Sequence, residues 1–191
     1  PSLTLTAKGA KGKPVIMGDS ISGRSIQIST TISGSTDGKA RTLELQRNGV
    51  VIKSMPVLTP TATMTFTARK TGRYNVVVER AIGAGVIDAV TSPIYVSDPP
   101  RTPKLSAPKA CVKRGKSAKV KVDTRLTAKT LGSAALTLDG KKVGTVTTAK
   151  GTVTIPGTKL KKASSHKLAA VSTTRYGLSS TAATKKLTVC R

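Results

Sequence analysis

The chain repeats itself, and only its second copy is bracketed by cysteines. Leu43-Glu44-Leu45-Gln46-Arg47-Asn48-Gly49-Val50-Val51-Ile52 returns as Ala135-Leu136-Thr137-Leu138-Asp139-Gly140-Lys141-Lys142-Val143. Tyr74-Asn75-Val76-Val77-Val78, followed by Ile94-Tyr95-Val96, returns as His166-Lys167-Leu168-Ala169-Ala170, followed by Leu187-Thr188-Val189, about 92 residues later. Over 191 residues such a period predicts two small domains, 1–98 and 104–191. Between them, the segment 99–103 holds Pro99, Pro100 and Pro103. Proline fixes φ and removes backbone donors, so this linker is expected to be extended and semi-rigid.

Apolar residues alternate over short runs separated by Gly, Ser, Asp and Pro, and nowhere does an apolar stripe hold a helical period. The class is therefore all-β. Strands are expected at 3–6, 25–31, 40–47, 50–55, 63–67, 73–80 and 89–96, then at 104–107, 117–123, 134–138, 141–147, 151–155, 166–173 and 181–189. One helical turn is expected within 156–163. Asn48-Gly49 and Asp139-Gly140 tolerate positive φ and sit between alternating runs, which marks the same two-residue hairpin in both copies. Seven strands per half is the number of a simple immunoglobulin-like sandwich, so two tandem immunoglobulin-like β-sandwich domains are predicted.

The second half runs from Cys111-Val112-Lys113-Arg114-Gly115-Lys116-Ser117 through Val120-Lys121-Val122 and Leu136-Thr137-Leu138-Asp139-Gly140 to Leu187-Thr188-Val189-Cys190. It resembles the immunoglobulin-like repeats of secreted bacterial surface proteins, and the first half shares the likeness loosely. The resemblance implies a sandwich in the extracellular or cell-wall space, and it brings no catalytic residues. Two features depart from the antibody pattern. The chain has no Trp, and its cysteines stand at the ends of a domain rather than on facing central strands.

Each half must build its own core. The first has Ile16, Ile26, Ile28, Met64, Phe66, Tyr74 and Tyr95, whereas the second is expected to lean on Ala118, Ala134, Ala135, Ala169, Ala170, Ala182 and Ala183, which remove little surface from water. A small domain with a weak core needs a staple. Joining Cys111 to Cys190 closes a loop of about 80 residues, worth roughly 4.5 kcal/mol in the chain-entropy picture. Two cysteines so far apart lack metal-site spacing, and a disulfide persists in oxidising surroundings, so secretion is expected. Neither a membrane-length apolar run nor a signal peptide is present in the sequence, so the chain is expected to be a mature product or an expressed piece whose leader is absent, with any anchor outside it.

Charge separates the halves. Residues 1–98 carry 12 Lys and Arg against 6 Asp and Glu, a net of +6, and residues 99–191 carry 21 against 2, a net of +19. Some of this is the solvated face of a strand, as at Lys119 and Lys121. Much of it is in turns: Lys113, Arg114 and Lys116 before one strand, Lys141 and Lys142 in the hairpin, and Lys159, Lys161 and Lys162 before another. These eight are the candidate polyanion-binding residues. Arg175 and Tyr176, in a loop between the last two strands, are candidates for ligand contact. Nucleic acid is not the expected partner, because single-strand binders interleave aromatics for stacking and the second domain has only Tyr176.

The sequence argues against catalysis. His166 is the one histidine, and its alignment with Tyr74 points to a hydrogen bonder at the edge of a sandwich. Asp139 is accounted for by its turn. Glu44 and Glu79, the two glutamates, are expected on one outward face with Arg41 and Arg73, forming cross-strand ion pairs rather than a glycosidase pair. Asp98 lacks clustered acidic partners for a cation. The expected function is a noncatalytic extracellular or cell-surface module for adhesion, display or spacing, without cofactor or metal. Its expected partners are an anionic envelope polymer, a glycan or another surface protein.

Overall fold

The computed structural model describes residues 1–10, 12–35, 37–80 and 86–191. The chain forms two compact units, Pro1–Asp98 and Pro99–Arg191. The first contains β1 (Ser2–Lys8), β2 (Val15–Ile16), β3 (Ser20–Ser22), β4 (Ile26–Ser33), β5 (Arg41–Arg47), β6 (Val50–Val57), β7 (Thr61–Ala68), β8 (Gly72–Arg80), β9 (Ile87–Val90) and β10 (Ile94–Ser97). One sheet is ordered β2-β1-β4-β7 and the other β3-β10-β8-β5-β6, with β9 also paired to β8. Alternation fixes the faces. In β4, Ile26, Ile28 and Ile32 are buried while Ser29, Thr31 and Ser33 turn outward. Leu5, Leu43, Leu45, Met64, Tyr74, Val76 and Val78 complete the core between the sheets. Ile16, expected inside, is 63% exposed on a two-residue edge strand.

The expected strand 89–96 is broken between β9 and β10. Pro93 has no N–H for the ladder. Thr91 restores the pairing at the break, since its N–H donates to the Val76 carbonyl and its Oγ1 accepts the Val76 N–H, both at 2.9 Å.

The second unit contains β11 (Lys104–Ser106), β12 (Val112–Lys113), β13 (Ala118–Asp123), β14 (Leu131–Leu138), β15 (Lys141–Val146), β16 (Lys150–Ile155), a 3-10 turn (Gly157–Lys159), β17 (Ser165–Thr174) and β18 (Ala183–Cys190). Its sheets are β11-β13-β16 and β12-β18-β17-β14-β15. The core is built on leucines, namely Leu136, Leu138, Leu160, Leu168 and Leu187. Only Ala118, Ala134 and Ala170 of the expected alanines are buried. Ala135 and Ala169 have the opposite parity to Leu136 and Ala170, while Ala183 opens the last strand and Ala182 precedes it. The two sheets close tightly where Gly144 and Gly151 face valines. A Cβ at Gly151 would lie 2.6 Å from Val146 Cγ1, and one at Gly144 would meet Val153.

Both units share one topology, that of an immunoglobulin-like β-sandwich. The opening strand is split. Its first part pairs antiparallel with the next long strand, as β1 with β4 and β11 with β13. A later short strand runs parallel to the final one, as β3 with β10 and β12 with β18. The parallel register Val112↔Val189 brings Cys111 beside Cys190, and the two form a disulfide with Cα atoms 5.6 Å apart.

Candidate functional site

The hairpin after β14 and the hairpin after β5 use the same device. Asn48 and Asp139 adopt positive φ (54° and 49°) and each is followed by a glycine, as a type I′ turn requires. The N–H of Asn48 donates to the Arg73 carbonyl while its Oδ1 accepts the Arg73 N–H at 2.9 Å. Asp139 brackets Lys167 in the same way, with its Oδ1 accepting the Lys167 N–H at 2.8 Å. This equivalence corrects the sequence alignment. Tyr74 corresponds to buried Leu168, not to His166, and His166 takes the place of Gly72 because the two copies differ in length before this strand. The constant offset of the sequence repeat concealed that difference.

All eight candidate lysine and arginine positions are exposed, and they lie at one end of the second unit. At this end β14 finishes and β17 begins, as the register Leu138↔Leu168 requires, and β13 starts where β16 stops, at Ala118↔Ile155. The turn bearing Lys113, Arg114 and Lys116 is bonded to the loop bearing Lys159, Lys161 and Lys162 through Gly115 N–H to the Leu160 carbonyl at 3.0 Å. Leu160 is fully buried, so its insertion into the core presents the flanking lysines to solvent. Arg114 N–H donates to the carbonyl of Cys190 at 3.0 Å, which ties the same turn to the disulfide. Lys141 and Lys142 follow the Asp139 hairpin at the same end.

Asp139, the acid of this end, does more than make a turn. Its Oδ2 lies 2.6 Å from His166 Nδ1, and His166 Nε2 lies 3.1 Å from Ser164 Oγ. The hydrogen bond from His166, followed by the Lys167 N–H, holds the Asp139 carboxyl below its ordinary value. Ser164, His166 and Asp139 therefore form a hydrogen-bonded line. No sequence spacing marks it, because Asp139 reaches the pair across the sheet. Next to it is a shallow depression of about 300 Å³ lined by Ser165, His166, Lys167, Thr184, Lys185 and Lys186. The last three of these had no turn or motif signal in the sequence.

Arg175 and Tyr176 are not part of this end. They follow β17 at its far terminus, where Arg175 N–H donates to the Thr130 carbonyl at 3.0 Å and its Nη2 to the Ala128 carbonyl at 3.2 Å.

In the first unit, the expected outward ion pairs are absent among the described residues, and Arg41 points inward. It shares parity with Leu43 and Leu45 and is only 3% exposed. Its guanidinium is clamped by both oxygens of Asp37 at 2.5 and 2.6 Å, by Asp88 at 2.6 Å and by Ser35 Oγ at 2.8 Å. Arg80 Nε bonds the other Asp88 oxygen at 2.6 Å. Arg41 lowers the pKa of Asp37 strongly. Burial opposes ionisation of Asp88, yet the Arg41 and Arg80 guanidiniums outweigh it and hold that carboxyl below its ordinary value. Glu44 and Glu79 take no part, with Glu44 facing Val77 and Glu79 facing Thr42 in the register.

Among the described residues no three His, Cys, Asp or Glu side chains gather as a metal site, and no helix is long and apolar enough to cross a membrane. No family model matches the sequence, and the search of curated proteins gave no match. Solved structures to which the chain is similar include fibronectin(III)-like modules of CbhA from Clostridium thermocellum, at 18% identity over 97% of this chain and 94% of that one, with a TM-score of 0.44. The human OSCAR ligand-binding domain is similar at 15% identity over 98% of both chains, with a TM-score of 0.38. A Ca2+-stabilized adhesin that helps an Antarctic bacterium reach out and bind ice is similar at 16% identity over 98% of this chain and 49% of that one, with a TM-score of 0.38.

Proposed function

We propose that this protein is a noncatalytic extracellular module for adhesion, display or spacing, and that the disulfide-linked end of its second unit binds anionic polymers. In this reading residues 1–98 and 104–191 are domains joined by the proline-rich segment 99–103. The single observation that carries it is the gathering of Lys113, Arg114, Lys116, Lys141, Lys142, Lys159, Lys161 and Lys162 at one end, with one acid among them, Asp139, already engaged by His166. Like charges so collected raise the local concentration of a polyanion, and their contacts weaken as salt screens them over about 8 Å at physiological ionic strength. The disulfide supports an oxidising compartment. An envelope polymer, a glycan bearing acidic groups or an acidic surface protein would each satisfy this chemistry. Replacing Lys141, Lys142, Lys161 and Lys162 with Gln in the full chain is expected to weaken binding to an immobilised anionic polysaccharide without lowering the melting temperature. Unchanged binding, or binding indifferent to salt, would leave only the spacer role.

A second reading is a serine hydrolase, since Ser164, His166 and Asp139 are aligned as a nucleophile, base and carboxylate would be. The line sits on the exposed edge of a hairpin, with Asp139 51% exposed. Its observed work is to tie the hairpin to β17. A fluorophosphonate probe is expected to leave the protein unlabelled, and labelling at Ser164 would establish the hydrolase instead.

A further inference from the structure

Two register pairs among the described strands set like charges directly opposite each other, Arg41↔Arg80 in the first unit and Lys167↔Lys186 in the second. Directly opposed like charges on adjacent strands repel. The first pair is resolved from within, because one carboxylate, Asp88, bonds the Nε of both arginines at 2.6 Å. The second pair has no such bridge: among the described residues no ion pair forms to either lysine, and the acid beside them, Asp139, spends its oxygens on His166 and on the Lys167 N–H. Elsewhere in this unit the strand lysines face neutral or acidic partners. Lys121 lies opposite Ser106 and Thr152, and Asp123 lies between Lys104 and Lys150.

We propose that Lys167 and Lys186 form an oxyanion site for a phosphate group of a phosphodiester-linked polymer, the external anion standing where Asp88 stands in the first unit. The proposal rests on the polyanion reading above and names its chemistry. The site has what such a group needs. Both lysines are exposed on neighbouring strands, spaced by about 4.7–4.9 Å. In the adjacent rows of the register, Ser165 faces Thr188 on one side and Ala169 faces Thr184 on the other, so hydroxyl donors flank the lysines. The small side chains leave the depression of about 300 Å³ open between them. A phosphate there can accept from two ammonium groups and from a hydroxyl at once. A polymer has a reason to be preferred over a single phosphate, because β17 begins directly after Lys159, Lys161 and Lys162 and a chain held at Lys167 reaches them in its next units.

The test uses the full chain, a linear inorganic polyphosphate as the probe, and two charge-matched variants. Lys167→Gln with Lys186→Gln removes the opposed pair. Lys119→Gln with Lys121→Gln removes two charges from the outward face of the other sheet. The first variant is expected to lose at least about tenfold in affinity and the second no more than about twofold. Without any anion, the first variant should melt at a higher temperature than the wild type, since its repulsion is gone, and polyphosphate should raise the melting temperature of the wild type more. Equal losses in both variants would overturn the site while leaving a diffuse attraction intact. A wild type that binds no polyphosphate but does bind a polycarboxylate would overturn the phosphate assignment alone, and a wild type that binds neither would overturn the polyanion reading as well.

Discussion

The two units fold to one topology and are closed by different means. In the first, an inward arginine and two carboxylates lock the segment before β5 against β8 and β9. In the second, the closure is covalent and lies at the hairpin end, where Cys111 and Cys190 join the edge strand β12 to β18. The core does not explain the difference, since five leucines line the main core of the second unit and it is not the alanine-lined interior that would need a staple. Charge does. The unit with a net of +6 keeps an internal ion cluster, whereas the unit with +19 sets eight of its 21 Lys and Arg at the end where the disulfide lies. Self-repulsion of that size works against a compact state. The disulfide therefore holds together the part of the molecule that its charges would pry apart.

Removing the bond should break this comparison most. Cys111→Ala with Cys190→Ala is expected to cost the second unit about 2–5 kcal/mol. In calorimetry, one transition should fall while the other stays. The loss should shrink in high salt, where the repulsion is screened. A loss independent of salt would separate the bond from the charge.

The next largest effect belongs to the first unit. Arg41→Met leaves Asp37 and Asp88 facing each other without their shared cation, and thermal melting should show the first unit, not the second, unfolding earlier. Acid should act in the same place. Asp37 and Asp88 are held below the ordinary carboxylate value of 3.8, so protonation is resisted in the folded unit and accepted in the unfolded chain. The stability they contribute is present above about pH 4 and is lost as pH falls below it. Arg41→Met should flatten this dependence, as followed by denaturant midpoints between neutral and acidic pH.

A smaller effect is expected at the glycines that let the sheets of the second unit approach. Gly151→Val drives a side chain into Val146 and should cost about 1–3 kcal/mol, read from chemical denaturation. Asp139→Asn should cost least. It keeps the Lys167 N–H acceptor, as Asn48 does in the first unit, and gives up the charged partner of His166.

Much of this was legible in the residues. Alternation and the Asn48-Gly49 and Asp139-Gly140 turns located the strands and both hairpins, and the lone cysteine pair identified its bond. What was hidden depends on partners distant in sequence. Parity alone could have turned Arg41 inward, but its carboxylates, Asp37 and Asp88, come from a loop and from a different strand. The later pieces of the split opening strands, β2, β3 and β12, are two or three residues long, too short to carry a periodic signal. Lys167 and Lys186 look like ordinary solvated positions until the register sets them face to face.

Where an anionic polymer lands separates a built site from a diffuse attraction. Backbone amide spectra of the full chain, recorded with and without polyphosphate at low salt, test this directly. The predicted result is perturbation of Lys113, Arg114, Lys116, Lys141, Lys161, Lys162, Lys167 and Lys186, with residues 1–98 unchanged and the effect fading as salt rises. Perturbation spread evenly over both units, or centred on the Arg175 and Tyr176 loop, would contradict it.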